Sequence, residues 1–200
     1  LRRLKQAGWR VITVSSGAIA IGRILYGKAT RNSLTQKQAL SALGQRYLVN
    51  LWEYALSPHG ILTSQILLTR DDFRSRKRML NFRNVLTELL AMGSIPVINE
   101  NDALSSDEIR VGDNDTLGAL VSVAAGATHY VIMSDIDGLY DKNPSRYADG
   151  RIIPEVPVIT PEIRQMAGDS GSAVGTGGMI TKLASAEIVT RAGITMYIVS

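Results

Sequence analysis

Cysteine is absent from the 200-residue chain, and histidine is nearly so, with only His59 and His129, far apart in sequence. The first absence excludes a disulfide framework, thiol nucleophiles and cysteine-ligated metal. The second argues against a zinc site and against a serine–histidine nucleophile pair, so no protein-ligated metal is expected. Aromatic residues make up only 6% of the chain, too few to give the basic run from Arg70 to Arg83 a stacking platform. That run therefore reads as a solvated helix face rather than a nucleic-acid surface. No apolar run approaches the ~18 residues of a membrane span, and no signal-peptide pattern is visible. A cytoplasmic protein, with neither membrane nor nucleic acid as a partner, is the expectation.

What remains is an ordinary globular composition, 45% hydrophobic and 20% charged with a formal net charge of +4. Its length is that of one domain. Apolar runs such as Ile95–Ile98 and His129–Met133 read as strands, and they alternate with helical patterns such as Gln36 to about Ser57. In that helix Leu40, Leu43, Tyr47, Leu48, Leu51 and Trp52 are expected along one buried face. Alternating strands and helices with short connections predict an α/β fold, a mainly parallel sheet between helix layers. The opening run Leu1–Trp9 resembles the last turns of a helix stopped by Gly8, as expected of a fragment.

Chemistry-bearing residues recur at the expected carboxyl ends of strands, where open α/β sheets bind ligands. Between Asn99 and Leu120 lie two acidic and amide clusters, Asn99–Asp102 and Asp113–Asp115, flanking a polar insert. Each cluster alone is compatible with turn and cap chemistry. The insert Ala103 to Val111 has the length of a hairpin over a site. Ser16 and Gly17 follow a strand and open a helix, a place where backbone N–H groups and the helix dipole can receive an anion. Asp135 follows another strand. From Gly168 to Gly178 a glycine-rich run enters a helix with Lys182 one turn in, which suits polyphosphate although it is neither a Walker A loop nor a full dinucleotide fingerprint. A phosphate donor facing a small polar acceptor, with no histidine base, points to phosphoryl transfer, which is mostly positioning and charge stabilisation.

The segments Val14–Ala20, Leu67–Asp72, Pro96–Asp102, Val111–Leu117, Ser134–Tyr140 and Gly175–Lys182 resemble the amino acid kinase family, in that family's order and over nearly the whole chain. The pairing of Asn99–Asp102 with Gly112–Asp115 is similar to the glutamate-phosphorylating branch rather than to aspartate, acetylglutamate or uridylate kinases. The resemblance implies a three-layer α/β sandwich, ATP and Mg²⁺, and phosphorylation of the γ-carboxylate of L-glutamate to glutamyl 5-phosphate, the first step towards proline. It implies that Ser16, Asp102 and Asn114 contact glutamate, with Asp115 supporting that pocket. Ser134, where the family commonly has Thr, and Asp135 would sit at the nucleotide, with Asp135 orienting the catalytic lysine. Thr176, Gly177, Gly178, Met179, Ile180, Thr181 and Lys182 would hold ATP, Lys182 neutralising the transferring phosphoryl group. Proline as an inhibitor and a homo-oligomer are further implications. The family's first strand, with a second lysine in a Lys-x-Gly-Ser-type loop, and its closing strands have no counterpart, so Leu1–Ser200 is expected to be a kinase domain truncated at both ends. The kinase part of a bifunctional pyrroline-carboxylate synthase, a kinase of another acceptor and a silent amino-acid-binding module are the alternatives.

Overall fold

The computed structural model describes residues 1–29, 31, 33–105, 113–142, 144, 147–169 and 178–200. Within the span expected to be one domain, residues group into two compact units, Leu1–Ile109 and Arg110–Ser200. Each carries its own parallel sheet.

The first unit runs α1 (Arg2–Gln6), β1 (Thr13–Val14), α2 (Ala18–Tyr26), α3 (Leu34–Leu56), β2 (Thr63–Leu68), α4 (Arg70–Arg74), α5 (Arg76–Ala91) and β3 (Ile95–Glu100). Its sheet has the order β1-β3-β2 with all strands parallel. The central strand β3 is buried from Ile95 to Asn99, which is why its sequence is a continuous apolar run rather than an alternating one. β1 is shorter than its apolar run, and its pairing continues one residue further through the Ser15 N–H donating to the Ile98 carbonyl at 2.9 Å. α4 starts on a capping interaction in which the Asp72 carboxylate accepts the Thr69 N–H at 2.6 Å and the Thr69 hydroxyl at 2.8 Å.

α3 departs from the expected apolar stripe. Leu40 and Leu48 are buried, but Leu43, Tyr47 and Leu51 are 50%, 38% and 59% exposed. The buried face instead includes Ser41, Gly44 and Gln45. The reason is close backbone packing on α2. A Cβ at Gly44 would lie 1.9 Å from the Ala18 carbonyl oxygen, and one at Gly22 the same distance from that of Leu40. Small residues, not large apolar ones, let these helices meet.

The second unit comprises α6 (Asp113–Ala125), β4 (His129–Met133), α7 (Pro161–Asp169), α8 (Gly178–Arg191) and β5 (Thr195–Val199). β4 and β5 pair in parallel from His129 opposite Thr195 to Met133 opposite Val199. Ala119 of α6, Val189 of α8 and Ile194 form one buried cluster, against which Tyr130 and Met196 pack. Leu139, Ala167, Met179 and Leu183 form another. The α/β class with parallel strands agrees with the sequence. Of the expected hairpin insert, residues 106–111 lie outside the described residues. Among the described residues no helix is long and apolar enough to cross a membrane.

Candidate active site

In the first unit the expected site residues follow neighbouring parallel strands. Ser16 follows β1, and Asp102 follows β3, beside it in the sheet. The turn after β1 is fixed from α3, where the Trp52 indole N–H donates to Ser15 Oγ at 2.9 Å. Gly17 then stands at φ +122°, a backbone conformation open to glycine, and α2 begins with no side-chain cap. That leaves the first-turn N–H groups of α2 directed to whatever anion approaches Ser16, which is itself exposed.

Asp102 is buried, and its Oδ2 accepts a 2.7 Å hydrogen bond from the Ser41 hydroxyl of α3. One turn along α3, Gln45 accepts the Asn99 side-chain N–H at 2.9 Å. Gln38 donates to the Ser105 carbonyl at 2.8 Å, so α3 holds the chain on both sides of Asp102. These contacts border a cleft of about 350 Å³ lined by Ser41, Gln45, Arg46, Gln65, Glu100 and Asp102 among others. Its size is that of a small-ligand pocket, and its lining mixes these polar side chains with apolar surface from Ala42, Val49 and Leu67. Ser41, Gln45 and Trp52 were not legible as site residues, since each lies in a helical run with no motif around it.

In the second unit the helices α6 and α8 bring Asp115 and Lys182 together. Lys182 Nζ donates to Asp115 Oδ2 at 3.0 Å, and the Thr181 hydroxyl donates to the same oxygen at 3.2 Å. The lysine side chain is 10% exposed and the aspartate 18%, so the pair is largely withdrawn from water. The expectation was that Asp135 orients this lysine; the carboxylate at the lysine is Asp115. Asp135 is exposed at the carboxyl end of β4, where the Ser134 hydroxyl donates to it at 3.3 Å. The physical reason is element geometry. Asp115 and Lys182 each lie in the first turn or so of their helices, and α6 and α8 pack on one another.

Of the remaining expected nucleotide residues, Thr176 and Gly177 lie outside the described residues. Gly178, Thr181 and Lys182 belong to the first turns of α8, and Ile180 is 49% exposed there. Met179 is 5% exposed within the Leu139–Ala167–Leu183 cluster, so its side chain is a core element, and only its backbone is available to a ligand. Asn114 is half-buried in the first turn of α6, next to Asp115. Among the described residues no group of three or more His, Cys, Asp or Glu side chains is set to hold a metal ion.

In sequence a glycine-rich run leads into the helix that carries this buried, carboxylate-paired lysine, within a parallel α/β setting. The family model "Amino acid kinase family" matches residues 1–200, and the chain belongs to that family. It is 51% identical over 194 residues to a protein named glutamate 5-kinase from Paramagnetospirillum magneticum, covering 97% of this chain and 52% of the relative. A glutamate 5-kinase of Carboxydothermus hydrogenoformans is 49% identical over 197 residues, covering 98% of this chain and 53% of the relative. The chain thus spans about half the length of these curated relatives. Among solved structures, aspartate kinase from Synechocystis superposes with TM-score 0.65 at 16% identity over 100% of this chain and 34% of that one. Aspartokinase III of E. coli, in complex with aspartate and ADP, gives 0.60 at 19% identity over 91% and 41%. These likenesses establish the amino acid kinase fold.

Proposed function

We propose that the protein carrying this chain transfers the γ-phosphoryl group of ATP to the γ-carboxylate of L-glutamate, giving glutamyl 5-phosphate. The observation that carries this reading is Lys182, buried and paired with Asp115 at the start of α8, directly after the glycine-rich run. The identity of about 50% to proteins named glutamate 5-kinase, over nearly all of this chain, supports the choice of acceptor.

A γ-carboxylate oxygen of glutamate attacks the γ-phosphorus, the bond to the β-phosphate bridging oxygen breaks, and ADP leaves with that electron pair. No proton moves in this step, so the protein's work is positioning and charge stabilisation. Lys182 places a fixed ammonium against the charge that develops on the transferring group, and Asp115 keeps that ammonium oriented without reorganisation. Thr176–Thr181, together with Ser134 and Asp135, would hold the nucleotide. Mg²⁺ would come with the nucleotide rather than from a protein carboxylate cluster, and would neutralise part of the phosphate charge.

On the acceptor side, the zwitterion supplies an ammonium that needs an anionic acceptor and a carboxylate that needs N–H donors. Asp102, oriented by Ser41, meets the first requirement. Ser16 and the uncapped start of α2 meet the second. Asn114 completes the contacts to glutamate. Proline as a competing ligand, a homo-oligomeric state and a cytoplasmic location belong to the same reading. A panel of acceptors tests it: ATP consumption should be far faster with L-glutamate than with L-aspartate or N-acetyl-L-glutamate. Equal or faster turnover of N-acetylglutamate would sink the assignment.

A further inference from the structure

We propose that Tyr130 is a positioning residue for phosphoryl transfer: its hydroxyl pins the first turn of α6 so that Asp115 presents its carboxylate to Lys182, and Gly118 is the notch that admits the phenol. The inference rests on the reading of Lys182 as the charge-neutralising group.

The Tyr130 hydroxyl, reaching from β4, donates to the backbone carbonyl of Asp115 at 2.8 Å. Asp115 is thus held at two ends. Its main chain is tied to the sheet, and its carboxylate accepts from Lys182 at 3.0 Å and Thr181 at 3.2 Å. A carbonyl oxygen has two lone pairs, so the phenol adds to the helical bond of Asp115 rather than replacing it. The site of that addition matters, because the first turn is where a helix frays.

Gly118 lies one turn beyond Asp115 on the same side of α6. A Cβ there would be 2.6 Å from Tyr130 Oη, 2.9 Å from Cε2 and 3.0 Å from Cζ. Any larger residue displaces the ring. The next turn is tied independently by the Ser122 hydroxyl on the Gly118 carbonyl at 2.7 Å. Burial, with the Asp115 carboxylate adding to it, pushes the phenol above its ordinary pKa, so it stays a neutral donor throughout the working range.

A displaced Asp115 misorients an ammonium whose value lies in being fixed in advance. Small misplacements of that kind are expressed in turnover more than in ground-state affinity. The test is Tyr130→Phe, which keeps the ring in the notch and removes only the donor. In the enzyme that carries this chain, kcat should fall about three- to tenfold, the worth of one hydrogen bond, with both KM values within about twofold. A second readout needs no substrate. Acylation of Lys182 by acetic anhydride, measured by mass spectrometry against exposed Lys77, should quicken in Tyr130→Phe and in Gly118→Ala. Ser122→Ala, which loses a hydrogen bond on the same helix, should leave the ratio unchanged. The two variants combined should quicken it no more than the stronger one alone. An unchanged Lys182 ratio in Tyr130→Phe, or equal quickening in Ser122→Ala, would overturn the link from Tyr130 to the lysine. Absence of glutamate turnover in the unsubstituted enzyme would overturn the kinase reading instead, while the acylation ratio still decides the role of Tyr130.

Discussion

Lys182 Nζ lies 3.0 Å from Asp115 Oδ2, an ion pair mostly closed to water and joining the starts of two packed helices. A buried lysine needs such a partner, since an unpaired charge in this setting costs several kcal/mol. The same pairing holds the ammonium in a fixed orientation, as stabilisation of a transferring phosphoryl group requires.

The first prediction separates those two roles. Lys182→Ala should lower turnover about a hundredfold or more, by analogy with removal of one donor to a developing oxyanion. The ATP dissociation constant should shift by less than about tenfold. Asp115→Asn should lower turnover too and, by leaving the lysine unpaired, should also lower the unfolding midpoint. Steady-state kinetics and thermal melts of the two variants distinguish the outcomes. Full turnover in Lys182→Ala would remove it from the mechanism.

Asp102 should act on the amino acid alone. Loss of a charge-assisted contact is worth about 1.5–3 kcal/mol, so Asp102→Asn should raise the KM for glutamate by about ten- to a hundredfold. The KM for ATP should change less than about twofold. Ser41→Ala, which frees the Asp102 carboxylate from its 2.7 Å donor, should produce a smaller effect in the same direction.

Gly44 is constrained by backbone, not by a side chain. The Cβ of Gly44→Ala would lie 1.9 Å from the Ala18 carbonyl oxygen, so α2 and α3 must separate. Overpacking of this kind costs about 1–3 kcal/mol or more. The urea midpoint should fall accordingly. Because Ala18 directly follows the Ser16–Gly17 turn, glutamate affinity should fall with it.

The Thr69–Asp72 cap gives a pH signature. Burial works against the Asp72 carboxylate, but the Thr69 N–H and hydroxyl and the Arg78 guanidinium outweigh it and hold its pKa below the ordinary value. A lowered folded-state pKa contributes stability that is present above the unfolded value, about 3.9, and is lost as pH falls through the folded one. Asp72→Asn should therefore destabilise by about 1 kcal/mol near pH 7. The difference should shrink below about pH 4 in denaturant titrations.

The strand–helix alternation and the placing of Ser16, Asp102, Asp135 and Lys182 near strand or helix ends were legible in sequence, because apolar runs and glycine-rich turns carry those signals locally. The partner of Lys182 was not. Asp115 and Asp135 both lie beside expected strand or helix ends, and only the packing of α6 on α8 decides between them. The α3 face was misread because its buried side is chosen by Gly44, Ser41 and Gln45, through backbone contact and hydrogen bonds to Asp102 and Asn99. Hydrophobic periodicity is blind to both. Tyr130 sits in an apolar strand, where nothing local marks its hydroxyl.

In the proposed reaction the transferred phosphoryl group comes to rest on the γ-carboxylate of glutamate. An acyl phosphate reacts with hydroxylamine, so the most direct measurement is trapping during turnover with ATP and L-glutamate. γ-Glutamyl hydroxamate should form in proportion to the ADP released, depend on L-glutamate and be nearly lost in Lys182→Ala. ADP formation without hydroxamate, or as much hydroxamate from N-acetylglutamate as from glutamate, would contradict the proposed reaction.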